Sequence, residues 1–288
     1  MIKFDTINQN KKIPRYIHQI NLSGCNELIN PMNKTKNKHN SRNSELAENI
    51  NNIRKFNKDW SYICWNEKEI YDLCLQYNDI CANIFKAFCD HNKQILAKYI
   101  ILHSFGGIYL DMDCTALKSF NTIPQLDSKD IILSYTNSGG FVDFPNILLK
   151  NLILEGTLMH LLNTSTIVST PNNIYIEEII KNILNKHRKI HEAKLVTKIL
   201  TKYKNNPNVL LLDHRYFDSC HELDSCCLIS KEAIVNHKHN YLLLNTRIAR
   251  LLGCGFHLKE IYDCIMSCTF ILAMLLIFIF GLWLAVYG

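Results

Sequence analysis

Asp111 and Asp113 stand at alternate positions directly after a short apolar run, IYL at 108–110. Two carboxylates so spaced, just past a strand, can converge on one hard cation such as Mg²⁺ or Mn²⁺, which prefers oxygen ligands. A cation held there bridges a diphosphate and neutralises the charge that develops as the diphosphate leaves. An acid pair in a turn can equally be solvated or cap local backbone, so its setting decides its weight. Here an apolar helix, a glycine stop and a strand all lead to the pair, which favours a metal–nucleotide role.

The elements that deliver the acids follow from the hydrophobic pattern. Residues 92–105 read as a helix with Ile95, Tyr99 and Leu102 on one stripe, ended by Gly106-Gly107. The strand at 108–110 then runs into Asp111. Upstream, 13–20 (IPRYIHQI) and 60–65 (WSYICW) read as strands, separated by an Asn/Lys/Ser-rich loop at 21–43. A helix at 45–56 has Ser41 or Ser44 as its cap and Leu46, Ile50 and Ile53 on one face. Asn66 caps a further helix, EKEIYDLCLQ, and 79–89 is helical. Downstream, strands at 131–135, 166–169 and 209–212 alternate with helices at 174–189 and 191–204. This order predicts an α/β fold with a largely parallel sheet flanked by helices. Ligands of such sheets bind beyond the carboxyl ends of the strands, where the acid pair falls.

The chain of 288 residues carries 32 Lys+Arg against 26 Asp+Glu, with no block of five like charges, so charge gives no support to a nucleic-acid partner. Twelve Cys contain no C-x-x-C pair, and the polar segment 1–12 has no apolar stretch like that of a secretory signal. Reduced thiols in a cytosol-facing domain are the expectation. His214, Cys220, His221, Cys226 and Cys227 are zinc-type residues at spacings that fit no finger pattern. Residues 265–287 are 23 consecutive positions without a charge. As a helix they span about 34 Å, enough for a hydrocarbon core of about 30 Å. Trp283 and Tyr287 suit the interface, and Arg247, Arg250 and Lys259 precede the run. With only Gly288 beyond it, the expectation is a single-pass C-terminal (tail-anchored) transmembrane helix with the catalytic part facing the cytosol. Cys264 and Cys268, one turn apart at the membrane edge, suit packing within the span or palmitoylation. The expected division is 1–12, a catalytic domain over 13–245, a juxtamembrane segment 246–264 and the span 265–287.

Residues 98–113, KYIILHSFGGIYLDMD, resemble the signature R-Y-x-x-L-x-x-x-G-G-x-Y-x-D-x-D of the DXD sugar-binding glycosyltransferases, a group that includes yeast mannosyltransferases. IPRYIHQI (13–20) is similar to the opening I-P-K-x-I-H-Q-x-W strand of that family, and FNKDWSYICWNEKEI (56–70) to its N-P-x-y-x-y-x-l-W-x-D segment. A weaker likeness covers 161–183, where an Asn and a small-residue strand precede a helix. The resemblance implies a GT-A-like (Rossmann-related) mixed sheet and hexose transfer, with retention, from a UDP- or GDP-sugar to a lipid or glycan acceptor. Mn²⁺ or Mg²⁺ is the implied cofactor. Asp113 would bind the metal and Asp111 the donor ribose or metal, with His18, Gln19, Lys98, Tyr99, Gly106 and Gly107 around the donor. A third metal ligand would come from the late segment AIVNHKHNYLL (233–243), as His237 or His239.

Departures from the pattern fall on donor contacts. Lys98 replaces the Arg and so lacks its bidentate fork. Ile95 replaces an Asp, Asn21 a Trp, and no Gly-Pro appears near 192–196. Two other readings use the same residues. DMDCT (111–115) fits the D-x-D-x-T motif of haloacid-dehalogenase-type phosphatases, with Asp111 as nucleophile and Asp213 and Asp218 as a second metal corner. A membrane-anchored binding protein that has lost the chemistry is the other.

Overall fold

The computed structural model describes residues 11–24, 40–136, 161–185, 190–219 and 229–237. The expected membrane span at 265–287, the juxtamembrane segment 246–264, His239 and Cys220–Cys227 lie outside them. Among the described residues, no helix is long and apolar enough to cross a membrane.

In chain order the elements are β1 (Tyr16–Ile20), α1 (Asn40–Phe56), β2 (Ser61–Trp65), α2 (Glu67–Tyr77), α3 (Asp79–Ala87), α4 (Asp90–Phe105), β3 (Gly107–Leu110) and β4 (Cys114–Ala116). There follow β5 (Ile131–Ser134), β6 (Thr166–Ser169), α5 (Ile174–Leu184), α6 (Glu192–Leu200), β7 (Val209–Leu212) and β8 (Val235–His237). The main sheet has the order β2-β1-β3-β6-β5-β7. Only β6 runs against its neighbours, so the sheet is mixed but largely parallel. A separate antiparallel ribbon pairs β4 with β8.

Asparagines set the helix starts. Asn66 closes a capping box with Glu69 at the head of α2, Asn78 caps α3, and Asn173 caps α5. Helix α1 begins at Asn40, so Ser41 and Ser44, the caps expected from the sequence, both lie within its bounds. The helix expected over 191–204 is α6 followed by a 3₁₀ turn at Thr201–Tyr203.

Strand alternation divides the core in two. Ile17, Ile108, Ile132 and Val168 face Ile53 of α1, together with Trp60, Phe120 and Phe217. Ile20, Tyr109, Leu133 and Ile167 face the other way, beneath α4, α5 and α6. Each such fully buried Ile or Leu contributes roughly 1.5–3 kcal/mol.

Helix α4 departs from its sequence pattern. A single apolar stripe was expected, yet every residue from Ile95 to Leu102 is buried, Lys98 included. The reason is its place in the fold: β1 and β3 pack on one side and α2, α3 and α5 on others. A lysine in that position needs charged partners, and their identity shapes the site. The cysteines depart from expectation as well. Cys74, Cys81, Cys89 and Cys114 are free, but Cys64 is disulfide-bonded, so the thiols are not uniformly reduced.

Candidate active site

The acid pair is aimed by a tight junction between α4 and β3. Gly106 has φ 62° and ψ −158°, a region essentially closed to side chains. A Cβ there would lie 2.6 Å from the Pro171 nitrogen, and one on Gly107 would lie 2.5 Å from the Tyr16 carbonyl oxygen. His18 locks the same junction. Its Nε2 donates to the Gly106 carbonyl at 2.9 Å, and its Nδ1 accepts from Trp65 Nε1 at 3.1 Å. Burial pushes the His18 ring down to about 4, against the opposing effect of the Gly106 bond, so the ring is neutral. The resemblance placed His18, Gly106 and Gly107 around the donor. In the structure both ring nitrogens of His18 are engaged in a fully buried site, and the two glycines are needed for backbone packing.

Gln19 points to the opposite face of β1 and clasps the acid loop. Its Nε2 donates to the Asp111 carbonyl at 2.9 Å, while its Oε1 accepts from the Tyr62 hydroxyl at 2.7 Å. Burial raises the Tyr62 pKa despite nearby Arg54, so the hydroxyl remains a donor. Asn49 of α1 donates to the Met112 carbonyl at 3.3 Å, and the Asp111 N–H donates to the Ser165 carbonyl at 2.8 Å. The loop backbone is therefore fixed from β1, α1 and the segment before β6.

The two carboxylates have different partners. Asp111 Oδ1 accepts from the Tyr109 hydroxyl at 2.8 Å and lies 3.7 Å from Lys98 Nζ. Lys98 also donates to the Thr164 carbonyl at 2.6 Å, meets Glu192 Oε1 at 3.0 Å and stands 4.7 Å from the centre of the Tyr109 ring. Tyr99 donates to the same Glu192 oxygen at 2.7 Å. Burial disfavours the Lys98 ammonium, but Asp111 and Glu192 more than offset it and hold its pKa above the ordinary value. Withdrawal from water raises the Asp111 carboxyl, Lys98 opposing and Glu192 adding to the rise. Tyr99 and Tyr109 are pushed well up, by burial first and then by Glu192 and Asp111 respectively, which keeps both as donors. The Asp111 side chain nevertheless retains 36% exposure, enough for a ligand to reach it.

Asp113 instead meets His237. Asp113 Oδ1 is 3.2 Å from His237 Nε2, and the ladder between β4 and β8, with Cys114 opposite His237, brings them together. Burial disfavours the imidazolium, but the Asp113 hydrogen bond and charge raise the His237 pKa, with help from Asp111 and Asp218. Ligand atoms of Asp113, Cys114 and His237 all lie within 4.8 Å of one another. The Cys114 thiol is fully buried and donates to the Ser165 carbonyl, and burial and both acids push its pKa well up, which disfavours a thiolate. A carboxylate oxygen and an imidazole nitrogen remain, a donor set that fits Mn²⁺. Asp111 stands outside that trio.

Of the residues expected from sequence, Lys98, Tyr99, Asp111, Asp113 and His237 are brought to one region. Glu192, Tyr62 and Asn49 were not expected there. A glutamate in the first turn of a helix is ordinary, and no sequence signal links it to Lys98. Of the two acids in the second metal corner of the phosphatase reading, Asp218 is buried and its charge acts on His237, whereas Asp213 follows β7, three strands from β3, which is about 14 Å at ordinary strand spacing. Its carboxylate is held by the Arg215 backbone N–H and Nε.

Residues 43–129 match the family model described as a glycosyltransferase sugar-binding region containing the DXD motif. No curated protein matches the chain in sequence. Among solved structures, the chain is similar to the PaToxG glycosyltransferase at 16% identity and a TM-score of 0.38, over 68% of this chain and 70% of that one. It is also similar to the bifunctional glycosyltransferase WbbM in its apo form, at 13% identity and a TM-score of 0.45. That match covers 82% of this chain and 47% of WbbM, so this chain spans about half its length. The order of the signature blocks, the acid pair beyond β3 and the match over 43–129 agree in likening this segment to the DXD-containing glycosyltransferase sugar-binding region.

Proposed function

We propose that the chain transfers a hexose from a UDP- or GDP-sugar to a hydroxyl of a lipid or glycan, with a divalent metal as cofactor and retention at the anomeric carbon. The observation that carries this reading is the pairing of Asp113 with His237 beside a second carboxylate, Asp111, that faces the Lys98 ammonium and is still exposed. Mn²⁺ or Mg²⁺ held by Asp113 and His237 would supply positive charge toward the departing nucleoside diphosphate. Asp111, one oxygen fixed by Tyr109, keeps acceptor capacity for a hydroxyl of the donor. Lys98, charged and buried, contributes a fixed positive field, and Gln19 and Asn49 hold the loop so that little reorganisation is needed on binding. No protein nucleophile is assigned.

The uncharged run 265–287 supports a membrane location, which would bring the site to lipid-linked acceptors. The Lys/Arg residues ahead of it favour a cytosol-facing catalytic part, whereas the disulfide at Cys64 favours an oxidising compartment. Protease protection in sealed microsomes separates the two. The transfer reading is tested by screening nucleotide sugars for Mn²⁺-dependent hydrolysis by the purified chain. Release of UDP or GDP from one class of sugar is expected. Nucleotide binding without turnover would instead leave a binding protein, and phosphate release from a chromogenic ester would favour the phosphatase.

A further inference from the structure

Position 95 is an isoleucine packed in the apolar core, so α4 offers no carboxylate one turn before Lys98. The carboxylate that meets Lys98 most closely comes from another helix. Glu192 is the first residue of α6, where the helix dipole favours an anion. Its side chain retains 13% exposure, and one oxygen, Oε1, receives both the Lys98 ammonium at 3.0 Å and the Tyr99 hydroxyl at 2.7 Å.

An ammonium has three N–H donors. One bonds the Thr164 carbonyl at 2.6 Å and a second meets Glu192, while Asp111 stands off at 3.7 Å, beyond hydrogen-bond range. Lys98 thus attracts Asp111 without bonding to it.

We propose that Glu192 is a positioning residue for the sugar-nucleotide donor: it anchors the Lys98 ammonium away from Asp111, leaving that carboxylate free to accept from the donor. The inference rests on the transferase reading above and adds a residue to that site. Without a charge at 192, the buried ammonium has Asp111 as its remaining carboxylate and closes on it, competing with the donor for the same oxygens.

The test is steady-state hydrolysis of UDP-glucose, UDP-N-acetylglucosamine and GDP-mannose, each with Mn²⁺, by the full wild-type chain, Glu192→Gln and Glu192→Asp. Thermal midpoints are measured in parallel, and assays run well below the lowest of them. Glu192→Gln is expected to raise KM for the hydrolysed sugar nucleotide about tenfold, with Glu192→Asp recovering most of that loss because it restores the anion. A KM that stays at the wild-type value while only the thermal midpoint falls would show that Glu192 merely supports the fold, and would overturn the proposal. So would equal effects of Gln and Asp. Turnover of none of the three sugars by wild type overturns the transferase reading and this inference with it. Wild-type turnover with an unaltered Gln variant overturns the inference alone.

Discussion

The Asp113 carboxylate meets the His237 imidazole at 3.2 Å, and the contact exists because β8 pairs with β4 immediately after the acid loop. The two acids of the D-x-D sequence therefore have different neighbours: Asp113 meets an imidazole nitrogen, and Asp111 accepts from Tyr109 and faces the buried Lys98 ammonium at 3.7 Å.

Removal of either member of the proposed metal pair should be selective. Asp113→Asn and His237→Ala are each expected to lower Mn²⁺-dependent hydrolysis by roughly a hundredfold, about 2.7 kcal/mol of transition-state stabilisation. Mn²⁺ titration followed by electron paramagnetic resonance should show the loss of binding. Cys114→Ala should retain Mn²⁺ affinity, because its thiol is turned to the Ser165 carbonyl. Wild-type Mn²⁺ affinity in both ligand variants would remove the assigned pair.

His18 should make stability depend on pH. Its folded-state pKa is lowered to about 4, from an unfolded value near ~6.5. The folded state resists protonation, so this contribution is full above pH 6.5 and is lost as the pH falls through the window toward 4. The difference is about 3 kcal/mol across that window. Urea unfolding at pH 7 and pH 4.5 should show a steeper decline for wild type than for His18→Gln. Parallel declines would mean that the ring is not held neutral.

Gly106→Ala should be far more damaging than an ordinary glycine substitution. The new methyl meets the Pro171 nitrogen at 2.6 Å and the Ser169 carbonyl oxygen at 2.9 Å, and backbone cannot yield as a flexible side chain does. A loss of about 3 kcal/mol or more is expected by denaturant titration. Gly24→Ala is the control: it has positive φ but nothing within 4 Å, so only the smaller conformational cost of roughly 1 kcal/mol applies. Equal losses at the two sites would contradict the close packing.

Gln19→Leu tests whether holding the loop backbone matters for turnover. The variant leaves the Tyr62 hydroxyl and the Asp111 carbonyl without their partner, at a cost of about 1–3 kcal/mol each if both stay buried. A tenfold fall in kcat/KM, about 1.4 kcal/mol, measured where the variant remains folded by circular dichroism, is the expected result. Unchanged kinetics would make Gln19 a purely structural residue.

Much of this architecture was written in local signals. Asn66 before an amphipathic stretch announced α2, Gly106-Gly107 announced the end of α4, and the alternation of strands and helices announced a largely parallel sheet. The reversed strand β6 left no mark, because an apolar run such as TIVS reads the same in either direction. Ribbon β4 was hidden too, a three-residue strand that exists only through its pairing with β8.

The sequence by itself determined that an acid pair follows a buried strand, and that a histidine-bearing segment lies late in the chain. Those are matters of residue type and spacing, which neighbouring residues settle among themselves. Only the tertiary structure decided that His18 bonds the Gly106 carbonyl, that Asp113 takes His237 and that Lys98 takes Glu192. A buried charge is satisfied by whichever opposite charge the packing brings near it, and that depends on how helices and strands far apart in the chain come together.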